Sequence, residues 1–207
     1  MIDTEELTGR YYSGTSGIVV PLPNKELSPE EFRDKTRLHF YSSLFSSIEI
    51  NSSFYKLPMA KTVRKWTESV PDDFRFTFKL WREITHVKEL AFKNEDVDRF
   101  MQTIAEVENK KGTLLVQFPP SLVLKYSSRV FELLERIALS NADGGWRIAL
   151  EFRNECWYTD EITGLLREMG AGLVLHDKLS AANTLLPSAS AFIYLRFHGY
   201  NRDYRGL

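Results

Sequence analysis

Glu49, Glu151 and His198 are the residues best suited by type to move protons. Each lies near the end of a short alternating stretch: "SSIEIN", "WRIALEFRN" and "AFIYLRFHG". Two carboxylates held close together in a poorly solvated cleft have their pKa values driven apart, so that one can act as acid and the other as base. Lys79, Arg153 and Arg196 occupy the same kind of position and supply cations. The planar fork of arginine suits phosphate or carboxylate. Asn51 and Gln117 offer amides that orient a ligand, and Tyr55 and Trp157, with Phe54 and Trp81, offer faces for a base or a sugar. His86, His176 with its neighbour Asp177, and His198 are imidazoles and acids in the same kind of setting. A plainer role competes at every position: a glutamate–arginine ion pair, a core histidine, an aromatic that only fills space. The shared placement of so many reactive types favours function.

Charge balance narrows the chemistry. Three cations face two glutamates, or three acids if Asp177 joins them. A divalent-metal site wants carboxylates in excess, or imidazoles without cationic neighbours. The expectation is therefore acid–base chemistry on a small anionic, phosphorylated or sugar-like molecule, with no cofactor. Glu49, Glu151 and His198 are the predicted catalytic groups. Asn51, Tyr55, Lys79, His86, Gln117, Arg153, Trp157, Asp177 and Arg196 are the predicted substrate-binding groups. A divalent metal on the histidines and acids, serving a phosphodiesterase or nuclease with a nucleic-acid partner, is the less favoured alternative. A non-catalytic ligand-binding protein is the third. "GTSG" offers backbone N–H groups to an anion but lacks the lysine and spacing of a nucleotide-triphosphate loop. No dinucleotide fingerprint, nucleophile elbow or HExxH helix is present in the sequence.

The elements that must position these residues alternate along the chain. Strands are predicted at "GRYYSGTSG", "SSIEIN", "DFRFTFKLW", "TLLVQFPP", "WRIALEFRN", "AGLVLHD" and "AFIYLRFHG". Helices are predicted between them. One spans residues 28–45 with Ser28 as its cap, and others span 60–70 and 127–139. A fourth spans 94–111, capped by Asn94 and stopped by Gly112, and a fifth runs from Thr159 to Gly170. Repeated strand–helix units imply a parallel sheet covered by helices. Along the strands one parity is polar near the C-terminal end: Glu49 with Asn51, Thr77 with Lys79, Gln117, Glu151 with Arg153, and Tyr194 with Arg196 and His198. The other parity is apolar: Ile48, Ile50, Phe76, Phe78, Phe152, Leu195 and Phe197. A doubly wound sheet would show near-continuous apolar strands instead. The expected fold is an α/β, TIM-barrel-like parallel (β/α) barrel whose polar mouth lies at the strand C-termini. Seven strands are predicted and the final β/α unit is missing. The chain, residues 1–207, reads as one domain that is C-terminally incomplete.

Bulk properties exclude several classes. The 207 residues carry a net charge of −1, so no global basic field points to nucleic acid or to an anionic membrane. Cys156 is the one cysteine, which removes intramolecular disulfides and thiolate-rich zinc sites. The N-terminus "MIDTEELTGR" has no apolar run, and no segment reaches the ~20 apolar residues of a membrane helix. A cytoplasmic protein without a membrane partner is expected.

Six motifs, "GTSG", "EINSSFYKLP", "FRFTFKLWREITH", "QFPPS", "LEFRNECW" and "LRFHG", follow in that order from Gly14 to Gly199. In this the chain resembles the YecE-like proteins, a domain-of-unknown-function family. The resemblance implies a TIM-barrel-like fold and no particular reaction. Two departures stand out. "IVVPLPNKEL" follows "GTSG" where the family usually carries aromatic residues, and the family usually continues for another strand and helix beyond "HG".

Overall fold

The computed structural model describes residues 10–20, 28–177 and 192–199. The connection "KLSAANTLLPSAS" and the stretch after Gly199 lie outside them. Six parallel strands form one continuous sheet in chain order: β1 (Ser47–Ile50), β2 (Arg75–Lys79), β3 (Lys111–Gln117), β4 (Arg147–Glu151), β5 (Ala171–His176) and β6 (Tyr194–Arg196). Parallel neighbours need a crossover, and the helices supply it. They are α1 (Arg37–Leu44), the short α2 (Ser52–Tyr55), α3 (Ala60–Glu68), the short α4 (Arg82–Thr85), α5 (Asn94–Ile104), α6 (Ser127–Ser140) and α7 (Asp160–Glu168).

The two parities separate as the sequence requires. Ile48, Phe76, Phe78, Leu114, Val116, Ile148, Leu150 and Leu173 point outward into the main core, where Val63, Val97, Phe100, Ile104, Val130, Ile137, Ile162 and Leu166 meet them from the helices. Each such side chain contributes about 1.5–3 kcal/mol by leaving water. The inner face carries a much smaller apolar layer of Leu115, Ala149 and Val174, with Phe192 and Tyr194 packed on it. The register aligns this face: Glu49 opposite Thr77, Lys79 opposite Leu115, Gln117 opposite Glu151, and His176 opposite Arg196.

A flat sheet of six strands would hold its edge strands about 24 Å apart at ~4.8 Å per strand. Yet Arg196 on β6 hydrogen-bonds Glu49 on β1. The sheet is therefore curled, with its inner face closing around the polar strand ends. Among the described residues no backbone pairing joins β6 to the opposite edge.

Several expectations change. The first predicted strand is not a full strand. Residues 13–17 lie beside β1 through Ser47 N–H to Ser13 O (2.9 Å), Glu49 N–H to Thr15 O (3.1 Å) and Gly17 N–H to Glu49 O (2.8 Å), with a single bridge at Ser16. Gly14 permits this approach, because a Cβ there would lie 2.1 Å from Ser47 O. The sheet thus has six assigned strands among the described residues, where the sequence predicts seven. The helix expected over 28–45 breaks into a 3-10 turn (Glu30–Phe32) and α1, whose cap is Thr36 accepting from His39 N–H. Helix α5 ends at Ile104, a 3-10 stretch (Ala105–Lys110) follows, and Gly112 falls inside β3 against Phe76 O. Asn94 is the first residue of α5; the capping position is Lys93, whose side chain makes no cap hydrogen bond. Leu195 and Phe197, expected under helices, are exposed. Leu195 lies in β6 and Phe197 just after it, at the edge of the sheet among the described residues, and α7 covers the neighbouring β5.

Candidate functional site

The inner face at the C-terminal strand ends gathers side chains from at least four strands. β1 contributes Glu49, which is buried and fully engaged. Its Oε1 accepts from Arg196 Nη2 (2.9 Å) and Ser16 Oγ (2.9 Å), and its Oε2 accepts from Arg196 Nε (3.0 Å) and Tyr194 OH (2.9 Å). β4 contributes Glu151, with no exposed surface. Its Oε2 accepts from Arg196 Nη1 (2.5 Å), and Arg153, two residues on, forms an ion pair with its Oε1. One guanidinium from β6 thus bridges two carboxylates from β1 and β4. The planar fork makes this possible; a lysine could not present three donors in that fixed plane.

The electrostatics follow from burial against pairing. Burial pushes the Glu151 carboxyl up, but the neighbouring guanidiniums of Arg196 and Arg153 outweigh it and hold it below the ordinary glutamate value. Burial pulls at the Arg196 guanidinium too, and Glu49 and Glu151 overcome it, so its proton is held even more firmly than usual.

Lys79 at the end of β2 is different. Burial first, and then the Arg196 guanidinium, lower its pKa to about 8, although both glutamates oppose this. Its Nζ lies 4.1 Å from the centroid of the Phe54 ring. Among the described residues it makes no hydrogen bond and no ion pair. His86 packs edge-on against the same ring (4.9 Å between centroids), its Nδ1 2.9 Å from Thr85 Oγ1. Burial, assisted by the Lys79 charge, pushes His86 down to about 4, so it is neutral at physiological pH.

β5 and β6 bring a third group. Asp177 Oδ1 lies 3.0 Å from His198 Nδ1, and it also accepts from the His198 backbone N–H (2.8 Å). Burial lowers the His198 pKa despite the carboxylate. The buried His176 ring meets His198 edge-on at 6.0 Å, and Tyr158 OH lies 3.3 Å from its Nε2. Tyr158 OH itself donates to Phe152 O (2.6 Å).

Most of the residues singled out by parity therefore converge: Glu49, Glu151, Lys79, Arg153 and Arg196, with Asp177 and His198 beside them. Gln117 lies at the end of β3 opposite Glu151. Asn51 begins the turn after β1, and its Oδ1 is buried with no hydrogen-bond partner among the described residues. Tyr55 is largely exposed and packs against the edge of Phe54. Trp157 stands apart. It is fully buried, stacked on Phe152 at 4.3 Å, and its Nε1 donates to Leu122 O (2.8 Å). Its place is in the core, because the 3-10 turn Glu155–Trp157 folds the ring back under the loop. Sequence reasoning missed Ser16 as a Glu49 partner and Tyr158 as a neighbour of His176; no local pattern marks either one. No group of three His, Cys, Asp or Glu residues able to hold a metal occurs among the described residues. No helix there is long and apolar enough to cross a membrane.

Comparison with known proteins places these features in a family context. Residues 12–206 match the family described as protein of unknown function DUF72. The Bacillus subtilis (strain 168) UPF0759 protein YunF is 30% identical over 137 residues, 63% of this chain and 47% of that protein. The Escherichia coli (strain K12) UPF0759 protein YecE is 32% identical over 84 residues, 41% of this chain and 31% of that protein. The chain thus covers less than half the length of these curated relatives. A solved DUF72 family protein from Thermotoga maritima MSB8 superposes with a TM-score of 0.71 at 25% identity, covering 95% of this chain and 77% of that one. One from Enterococcus faecalis V583 gives 0.68 at 21% identity, covering 90% and 72%.

Proposed function

The chain belongs to the DUF72 family of proteins of unknown function, and from that premise we propose that it is an enzyme acting on a small anionic molecule, phosphorylated or sugar-like, bound at the C-terminal strand ends. In this reading the curled sheet is part of a TIM-barrel-like wall, where loops and strand ends carry the chemistry. The observation that carries the proposal is a local excess of buried positive charge. Three cations, Arg196, Arg153 and Lys79, face two carboxylates, with Glu151 shared between Arg196 and Arg153. Arg153 Nη1 is buried without a hydrogen-bond partner among the described residues, and Lys79 Nζ has only an aromatic face. Buried donors left unsatisfied cost about 1–3 kcal/mol each, more when charged. A bound anion would recover that energy.

Proton transfer in this reading falls chiefly to His198. Asp177 holds its Nδ1, and burial lowers its pKa, which favours the uncharged ring. Glu49 and Glu151 hold Arg196 in place, and Glu151 remains ionised beside the reacting centre. Asn51 and Gln117 orient the ligand. The metal-dependent phosphodiesterase alternative has no cluster of metal ligands among the described residues to support it.

The test is a titration with inorganic phosphate and then with glucose 6-phosphate, followed by thermal denaturation and calorimetry. Saturable stabilisation that weakens at least several-fold in Arg153→Gln supports the reading. No stabilisation by either compound would sink it.

A further inference from the structure

Two buried lysines in this chain are treated in opposite ways. Lys110 donates to Thr67 O (2.8 Å) and Val70 O (2.7 Å) and lies 3.4 Å from Asp72. That is how a structural lysine is satisfied, with every donor given an acceptor. Lys79 is equally buried but has no acceptor among the described residues; its amine rests on the Phe54 ring at the open end of the strand. A contact to an aromatic face holds the nitrogen in place without engaging it in a hydrogen bond.

We propose that Lys79 is a covalent carbonyl-binding residue, whose amine condenses with an aldehyde or ketone of the small molecule held at the strand ends to form an imine. This rests on the reading above only for the location and the anionic character of that molecule. Two features suit this lysine to that role. It is desolvated and near the Arg196 and Arg153 guanidiniums, which with burial outweigh Glu49 and Glu151 and lower its pKa to about 8, so a minor but reactive fraction is unprotonated near neutral pH. It sits on the inner face, where a ligand would reach it.

The chemistry balances without a further reactant. The ammonium gives up one proton to solvent water, and the nitrogen lone pair attacks the carbonyl carbon. The C–N bond forms and the carbonyl oxygen takes a proton to give a carbinolamine. That oxygen, with the two protons lost in all by nitrogen, leaves as water. Ammonium plus carbonyl thus becomes a protonated imine plus water, with no oxidation or reduction. The positive imine then draws electrons from the adjacent carbon, the usual purpose of such a lysine.

The experiment is to treat the purified protein with glycolaldehyde phosphate and sodium cyanoborohydride at neutral pH and to map adducts by peptide mass spectrometry. The hydride reduces the imine to a stable secondary amine. One adduct per chain at Lys79 is expected, forming about ten-fold faster than on the exposed Lys61, while Lys110 stays unmodified. In Lys79→Met that adduct should vanish; if this variant does not fold, mapping of the unaltered protein decides alone. Adducts spread over exposed lysines, with Lys79 untouched, overturn the proposal. Repeating the reaction with unphosphorylated glycolaldehyde separates the two readings. Equal labelling of Lys79, unaffected by inorganic phosphate, supports the imine and defeats the anion reading. Phosphate binding without any labelling of Lys79 does the reverse.

Discussion

Glu151 has a structural role at the proposed site. It is wholly buried and touched by two guanidiniums, so removing its charge leaves those cations under-compensated. Breaking one partner of a buried pair costs about 3–5 kcal/mol. Glu151→Gln should lose roughly 3 kcal/mol in urea unfolding at neutral pH, near the low end because the amide still accepts a hydrogen bond. The folded carboxyl has a lowered pKa, so its contribution is present above the ordinary value of 4.5 and disappears as pH falls through the folded value. The gap between the two proteins should therefore narrow in acid. His86 acts in the same direction for a different reason. It is neutral in the fold, and below its ordinary value of 6.5 the unfolded chain takes up a proton that the folded chain accepts only near 4. Stability should fall as pH drops across that range, with a shallower slope in His86→Gln. An unchanged slope would show that His86 titrates normally.

At the scale of elements, close approach and capping decide the outcome. The 13–17 segment reaches β1 only because residue 14 lacks a side chain. Gly14→Ala should cost about 2 kcal/mol through forced backbone displacement. Gly164 is the counter-example. It lies inside α7 with open space around it, so Gly164→Ala should stabilise by about 0.5–1 kcal/mol. Thermal melts of the pair, with opposite signs of ΔTm, would check both. The break of the expected long first helix also belongs to this scale. Thr36 provides a better cap than Ser28, because its side chain accepts from His39 N–H three residues on.

At the scale of the whole molecule, Arg196, with the Tyr194 hydroxyl beside it, links β1 and β6 among the described residues. It binds Glu49 through two nitrogens and Glu151 through a third. Arg196→Lys keeps the charge but cannot span both carboxylates in one plane. Hydrogen exchange should then quicken in β6 and in residues 13–17 while α5 and β3 keep their protection, because the curl relaxes at its edges before the main core opens. Uniform loss of protection would mean that the bridge supports the entire fold rather than its closure.

The alternation of polar and apolar residues was enough to assign six of the seven predicted strands and the face that carries Glu49, Lys79, Glu151 and Arg196, because a period of two is a local property of the backbone, while the parallel arrangement was legible from the strand–helix repeat. The helices with clear apolar stripes, α3, α5, α6 and α7, were legible for a similar reason. Other features depended on tertiary structure. That Glu49 and Glu151 share one guanidinium depends on how far the sheet curls, and no single strand encodes curvature. Trp157 has the composition of a stacking residue; only the loop geometry turned it into the core. Lys79 and Lys110 look alike in the sequence, and only the acceptors that surround Lys110 and, among the described residues, are missing around Lys79 distinguish the two. Hydrogen-bond satisfaction is a property of contacts distant in the chain, so it can be read only once the chain is folded.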